Sequence, residues 1–209
     1  MVNMKIDHFV VGPVQTNCYF VTNIKTKEMI IIDPGACADQ LAKKVDESGA
    51  KPVAILLTHG HFDHATDAKP LADRYGIKIY IHEADKATLD DPQLNVSYMM
   101  GQSKTFYADV FLKDKQELDI AGFHIVVLHT PGHTPGSVCL QSGDVLYTGD
   151  TLFRMSRGRT DFPGGSDAQM LESFRKLKAL DGDFRVLPGH NEESTLSFEK
   201  EHNPTMRGL

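Results

Sequence analysis

The sequence is poor in cysteine and in long apolar stretches, and it has no excess of basic residues. Its 209 residues include three cysteines and no C-x-x-C pair, which argues against a disulfide framework and favours a reducing, cytoplasmic compartment. No apolar run reaches the roughly 18 residues of a membrane span, and the start of the chain has no basic-then-apolar secretory pattern. A net charge of −6 gives no footprint for sequence-independent nucleic-acid binding. We therefore expect a cytoplasmic protein with no membrane or nucleic-acid partner, and the sequence leaves its oligomeric state open.

The chain also lacks the G-x-S-x-G motif of serine hydrolases, so an activated serine is not expected as nucleophile. Its length suits one well-buried domain and is short for two, which predicts a single domain over residues 1–209.

Short apolar strands alternate with turns and amphipathic helices. Antiparallel strands are predicted at 8–11, 18–22 and 29–33, followed by helices at 38–48 and 65–75 that alternate with strands at 53–57 and 77–81. A second set of strands runs from 110 to 148, and helices are predicted at 167–180, capped by Ser166 or Asp167, and at 194–201. This duplication predicts an α/β fold in which two βαβ-rich halves form a four-layer αββα sandwich, with ligands at one edge. Residues 90–109 are predicted to form a loop that could cover a site; Tyr98, Phe106 and Tyr107 could form a lid or, as is more common for aromatic residues in a loop, pack locally.

Metal-ligand side chains concentrate in four segments, each placed after a predicted strand and containing or adjoining glycine or proline. His59 and His61 are two residues apart and project to the same side of an extended backbone. Asp63 and His64 are adjacent and cannot share that direction, so they are expected to face a second ion. Together the four segments supply five histidines and two aspartates, which are too many ligands for one four-coordinate ion. The seven candidate ligands are His59, His61, Asp63, His64, His133, Asp150 and His190.

The ordered combination of these segments resembles the metallo-β-lactamase-fold superfamily over nearly the whole chain. The resemblance implies that His59, His61 and His133 hold one metal. It implies that Asp63, His64 and His190 hold a second, and that Asp150 bridges both. Two divalent ions are implied, with zinc expected and iron or manganese as alternatives.

Within the superfamily, the chain is most similar to short bacterial glyoxalase II-like proteins. True metallo-β-lactamases commonly carry a cysteine where Asp150 stands, and the diiron flavoprotein branch carries a glutamate where His61 stands. The segments 33–35, 129–134, 149–153 and 158–162 all resemble glyoxalase II, whereas the C-terminal helical domain that binds glutathione in that enzyme is not expected here. This implies hydrolysis of a small acyl-thiol, such as S-lactoylglutathione, by a hydroxide that bridges two metals, with Asp63 orienting the hydroxide.

Other residues are candidates for supporting roles. Arg154, Arg157 and Arg159 could form a basic rim for a carboxylate-bearing thiol, although Arg159 could instead pair with Asp161. Asp33 and His129 could orient metal ligands through hydrogen bonds, or could be a turn residue and a core histidine.

Two other functions remain open. A persulfide dioxygenase branch has the same fold, similar motifs and a similar 158–162 segment, and it uses a single iron. A non-catalytic binding module would be expected to have a broken ligand set, and all seven positions are intact here.

Overall fold

The computed structural model describes residues 4–209, and two six-stranded sheets form its centre. In the first sheet the spatial order follows the chain order: β1 (Met4–Val11), β2 (Thr16–Asn23), β3 (Glu28–Ile32), β4 (Lys51–Leu56), β5 (Lys78–His82) and β6 (Val110–Leu112). Strands β1 to β3 are antiparallel, as predicted, and β3 to β6 are parallel.

The second sheet is mostly antiparallel. It contains β7 (Glu117–Ile120), β8 (Phe123–His129), β9 (Val138–Ser142), β10 (Val145–Gly149), β13 (Arg185–Pro188) and β14 (Ser194–Thr195). A separate hairpin of β11 (Leu152–Phe153) and β12 (Ser156–Arg157) follows β10. Only β10 and β13 are parallel, so the prediction of a βαβ-rich second half is wrong for the β7–β10 meander. The short turns at 121–122 and 143–144 leave no room for a crossover helix between those strands.

Helices cover the outer faces of both sheets. They are α1 (Ala38–Ser48), α2 (Phe62–Ala65), α3 (Ala68–Tyr75), α4 (Lys86–Asp90), α5 (Asp167–Lys178), α6 (Leu196–His202) and α7 (Pro204–Arg207). Strand alternation divides the core, because Phe20 packs under α1 and α3 whereas Tyr19 and Val21 lie between the sheets. Helices α5, α6 and α7 pack on the second sheet through Met170, Phe174 and other apolar side chains. The predicted αββα sandwich is confirmed.

The predicted helix at 65–75 is two helices with a break at Thr66 and Asp67. Pro70 explains the break, because it lies in the first turn of α3, where its missing N–H removes no intrahelical bond. In one continuous helix from Phe62, the same proline would interrupt the hydrogen-bond ladder. Within residues 4–209, no helix has the length and apolar character needed to cross a bilayer.

Two histidines stack where the sheets meet, at the end that carries the metal-ligand segments. His82 ends β5 and His129 ends β8, and their rings are stacked 4.0 Å apart. Burial, and then the neighbouring imidazole of His129, lower the pKa of His82 to about 4. His82 is therefore neutral in the folded protein at pH values at which an unfolded histidine is already protonated.

We predict an acid-sensitive contribution of His82 to stability. The unfolded state binds the extra proton, so the free energy of unfolding should fall as the pH drops from about 6.5 towards about 4, by on the order of 1–2 kcal/mol. His82→Asn keeps a side-chain acceptor for the Ala84 N–H and removes this titration, so urea unfolding should show a weaker pH dependence. His124→Asn, at an exposed histidine, is the control and should leave the wild-type dependence unchanged. Equal slopes in wild type and His82→Asn would contradict the assignment.

Candidate metal centre

The carboxyl ends of the central strands bring all seven predicted ligands to one edge of the sandwich. His59 and His61 follow β4, Asp63 and His64 lie in α2, and His133, Asp150 and His190 follow β8, β10 and β13. Their ligand atoms form three overlapping groups, in each of which the atoms lie within 4.8 Å of one another: His59, His61 and His133; His59, His64 and Asp150; and Asp63, His64 and His190. The first and third groups are the two half-sites that the sequence predicts.

The first half-site is buried. His59, His61 and His133 are each at most 2% exposed, and the Nδ1 of His61 lies 2.8 Å from the Nε2 of His133. The His59 ring lies 4.8 Å from each of the other two ring centroids. Three imidazoles thus converge on one point, as an ion with histidine ligands requires.

The second half-site is more open, since Asp63 and His190 are only partly buried. The Oδ2 of Asp63 lies 3.1 Å from the Nε2 of His190 and 3.4 Å from the Nε2 of His64.

Asp150 lies between the half-sites. Its Oδ1 is 3.4 Å from the Nε2 of His64, and its Oδ2 is 3.4 Å from the Nε2 of His133 and 3.6 Å from that of His190. One carboxylate therefore contacts histidines of both half-sites, which is the position of a bridging ligand.

Hydrogen bonds fix the tautomer of four of the histidines. The Nδ1–H groups of His64, His133 and His190 donate to Asp33 Oδ2, to the Arg159 carbonyl and to the Gln15 carbonyl at 2.9, 2.7 and 3.2 Å. The Thr58 hydroxyl donates to Asp33 Oδ2 and accepts from the Nδ1–H of His59 at 3.2 Å. In His59 and His64 the Nε2 has no hydrogen-bond partner and is left for a metal ion, whereas the Nε2 atoms of His133 and His190 face His61 Nδ1 and Asp63 Oδ2, which are themselves candidate ligand atoms.

The unsatisfied polar atoms of the described residues support an ion at this position. Within residues 4–209, five buried side-chain N or O atoms have no hydrogen-bond partner, and four of them belong to predicted ligands: the Nε2 atoms of His59, His61 and His64 and the Oδ1 of Asp150. An unsatisfied buried polar group costs about 1–3 kcal/mol. Divalent ions would satisfy this donor set of imidazoles and carboxylates, so the residues fit a dinuclear centre.

The charges of the centre also favour cations. Burial lowers the pKa of His64, but the carboxylates of Asp63, Asp33 and Asp150 outweigh it and raise the pKa to about 10. Burial, together with the other imidazoles, holds the pKa values of His59 and His61 well below the usual histidine range. The carboxylates thus attract positive charge, while the first half-site presents neutral imidazoles.

Asp33 makes the contacts that its predicted orienting role requires. Its Oδ1 accepts from the Thr58 N–H at 2.8 Å, and its Oδ2 accepts from the Thr58 hydroxyl and from His64. His129 does not contact a predicted ligand through its side chain: its Nε2 bonds to the Pro135 carbonyl at 2.8 Å and its ring stacks on His82. The proposed orienting role of His129 is therefore dropped.

Sequence reasoning missed a buried carboxylate that connects two ligand segments. Asp85 accepts from the Gly60 N–H and the Thr134 hydroxyl at 2.7 and 2.8 Å, and also from the Gly136 N–H and the Thr88 hydroxyl. Gly60 separates His59 from His61, and Thr134 follows His133, so Asp85 fixes the loops of the first half-site relative to each other.

The turn before β2 and the start of β2 support the second half-site in the same way. The Thr16 hydroxyl donates to Asp63 Oδ2 at 2.9 Å, and the Gln15 carbonyl accepts from His190. Asn17 donates to the Pro188 and Asn191 carbonyls on either side of His190. Nothing in the local sequence indicates these contacts.

A cavity of about 600 Å³ opens on the centre. Five of the predicted ligands line its floor: His61, Asp63, His133, Asp150 and His190. Most of its other lining residues are apolar.

Two of the three predicted rim arginines, Arg157 and Arg159, also line the cavity. Arg157 is paired with Asp167 at 2.6 Å. Arg159 pairs with both carboxylate oxygens of Asp161 and lies 4.0 Å from the Phe162 ring centroid, so the predicted ion pair is present. Arg154 is outside the cavity lining, because its guanidinium lies over Phe198 and faces Glu192, and it is dropped as a substrate contact.

We predict that Thr16 supports the second half-site. Thr16→Val removes the hydrogen bond to Asp63 with little change in volume, and competitive metal titration should show affinity for the more weakly bound ion reduced by roughly tenfold. Thr16→Ser should restore most of it. Thr22→Val, six residues further along β2, is the control and should bind both ions as the wild type does. Unchanged affinity in Thr16→Val would show that this hydroxyl has no role in metal binding.

Comparisons with known proteins agree with the fold and the site. The family model for the metallo-beta-lactamase superfamily matches residues 11–190. The chain is 38% identical to the probable metallo-hydrolase YqgX of Bacillus subtilis, covering 99% of both chains. It is 34% identical to the hydroxyacylglutathione hydrolase GloC of Haemophilus influenzae, covering 96% of this chain and 97% of that protein.

Two solved structures are similar over almost the full chain. BLEG-1, described as a B3 metallo-beta-lactamase, has a TM-score of 0.91 at 38% identity and covers 97% of this chain and 99% of its own. TTHA1623, solved in a di-iron-bound form, has a TM-score of 0.85 at 34% identity and covers 95% and 98%. With the αββα sandwich and the His/Asp metal-site groups, these matches show that the chain belongs to the metallo-β-lactamase superfamily.

Proposed function

We propose that this protein, a probable metal-dependent hydrolase, is a dinuclear thioesterase of the glyoxalase II type. The observation that carries the proposal is the position of Asp150, whose two oxygens reach histidines of both half-sites. The proposed substrates are small acyl-thiols such as S-lactoylglutathione, and the relative GloC is named as a hydroxyacylglutathione hydrolase.

In this proposal His59, His61 and His133 hold one ion, Asp63, His64 and His190 hold the other, and Asp150 bridges them. When bound, divalent ions at these positions, with zinc the first candidate and iron or manganese alternatives, would lower the pKa of a coordinated water and polarise a carbonyl. Thr16, His64 and His190 all approach Oδ2 of Asp63, so Oδ1 is the oxygen assigned to orient the attacking water by a hydrogen bond. Arg157 and Arg159 line the cavity wall and are assigned to the anionic part of the substrate, which would compete with their ion-pair partners Asp167 and Asp161.

A second candidate is a mononuclear iron persulfide dioxygenase of the same fold. It is favoured by one observation, the difference in burial between the closed first half-site and the partly exposed Asp63 and His190. Such a difference would suit one tightly bound ion.

Metal analysis followed by two assays separates these candidates. Two ions per chain and oxygen-independent cleavage of S-lactoylglutathione would support the thioesterase. One iron per chain with oxygen consumption and sulfite formation from glutathione persulfide would support the dioxygenase. Two bound ions without cleavage of S-lactoylglutathione would reject the glutathione thioester and leave the metal centre unaffected.

We predict that Asp150→Ala loses metal and activity together. Removing the bridging carboxylate takes a ligand from both half-sites, so bound metal should fall to less than half and thioester hydrolysis by about a hundredfold or more. Asp119→Ala, at an exposed aspartate of β7, is the control and should retain both. Full metal content and full activity in Asp150→Ala would show that the bridging assignment is wrong.

A further inference from the structure

A turn that carries two methionines forms part of the cavity wall. Residues Ser97–Met100 form a 3-10 helical turn, and Met99 and Met100 line the cavity with Val96 and Phe62. Of the two alternatives for Tyr98, Phe106 and Tyr107, a lid or local packing, the structure favours local packing, because none of the three lines the cavity. Phe106 instead packs on the outer core of the first sheet, and the Tyr107 hydroxyl bonds to Asp109.

Buried hydrogen bonds fix this turn beside the metal centre. Asn95 is fully buried, and its side chain donates to the Lys104 carbonyl at 2.9 Å and accepts from the Ser97 N–H at 3.0 Å. Its own carbonyl accepts from the Phe62 N–H at 3.0 Å. Since Phe62 directly follows His61, the methionine turn is connected to the first half-site through one hydrogen bond.

The backbone of Val96 is strained. This β-branched residue has φ 56° and ψ 15°, in the left-handed region, and is 3% exposed. Such a conformation is unfavourable for a β-branched residue and persists only where the surrounding structure enforces it. Here it leaves Met99 and Met100, 56% and 43% exposed, as apolar side chains at the cavity.

We propose that the wall of Val96, Met99 and Met100 binds an apolar chain of several carbons attached to the scissile thioester. The proposal rests on the thioesterase function and names its substrate class, thioesters with an extended apolar chain. The wall belongs to the same cavity as the ligands of both half-sites, so a substrate with its carbonyl at the metals lies within reach of the methionines.

Size and chemistry both support this occupant. A cavity of about 600 Å³ falls within the range that binds drug-sized ligands, so it has room for a chain of several carbons beside the reacting carbonyl. Methionine side chains are flexible and polarisable, so they accommodate chains of different shape. Arg157 and Arg159 line the same cavity and would suit a substrate that also carries an anionic group.

The test uses the metal-loaded protein and two series of thioesters. In the first, acyl groups from acetyl to octanoyl are attached to N-acetylcysteamine; in the second, acetyl is attached to alkanethiols of increasing length. We expect kcat/KM to rise by about two- to fourfold per methylene in at least one series, since burying a methylene contributes about 0.8 kcal/mol. The series that shows the rise identifies the acyl or the thiol half as the part that contacts the wall.

Variants test whether Met99 and Met100 cause the dependence of kcat/KM on chain length. Met99→Ser combined with Met100→Ser should flatten the dependence of kcat/KM on chain length and retain the wild-type metal content. Met155→Ser is the matched control, because Met155 is similarly exposed and is not a cavity residue. It should retain the wild-type dependence.

Binding gives a readout that does not depend on turnover. Calorimetry with non-hydrolysable thioethers of increasing chain length should show affinity rising with length in the wild type and in Met155→Ser but not in the double variant. Hydrolysis with no chain-length dependence in either series would overturn the inference and leave the thioesterase proposal standing. If no thioester were cleaved, the thioesterase proposal would fail. The calorimetry tests the wall separately: a thioether affinity that did not rise with chain length would reject the proposed apolar wall.

Discussion

Three carboxylates, of Asp33, Asp63 and Asp150, lie among the five imidazoles of the centre, and this concentration of charge constrains the surrounding structure. Charged groups are buried at low cost only when they are paired or bind cations. The loops that deliver them must therefore approach closely. A Cβ atom on Gly189 would lie 2.3 Å from Asp150 Oδ1, and one on Gly35 would lie 1.3 Å from the Asp63 carbonyl oxygen. These glycines allow backbone to fill the space immediately behind the ligands.

The ligands could be predicted from the sequence because each segment carries its signal locally. His59, His61, Asp63 and His64 are close in the chain and follow an apolar strand, and the remaining ligands stand at similar strand ends. The residues that support them carry no such signal. Asp85 reaches Gly60 across 25 positions and Gln15 reaches His190 across 175, so their roles depend on how the loops meet in space.

The same distinction holds for the fold. Helix α1 was predicted at its observed bounds because its apolar spacing and terminal glycine are both local. The positions of the strands in the second half were predicted approximately. Their antiparallel pairing was not, because it depends on which strands are neighbours in the sheet, and the apolar pattern of a strand does not specify its neighbour. The 152–157 hairpin, which follows Asp150, is likewise held by a contact distant in the sequence. Glu199 of α6 accepts from the Met155 N–H at 2.9 Å.

Chemistry and selectivity therefore depend on different parts of the molecule. The metal ligands stand at strand ends and in the short helix α2, fixed by the sheets and by Asp33 and Asp85. Part of the cavity wall comes from the methionine turn and the 152–157 hairpin, and a buried polar side chain holds each: Asn95 holds the methionine turn, and Glu199 holds the hairpin that carries Arg157. Neither Asn95 nor Glu199 is a predicted ligand, so the residues that hold these walls are distinct from those proposed to hold the metals. This separation explains why the metal site can be predicted from sequence motifs, whereas substrate preference has to be inferred from the structure of the loops.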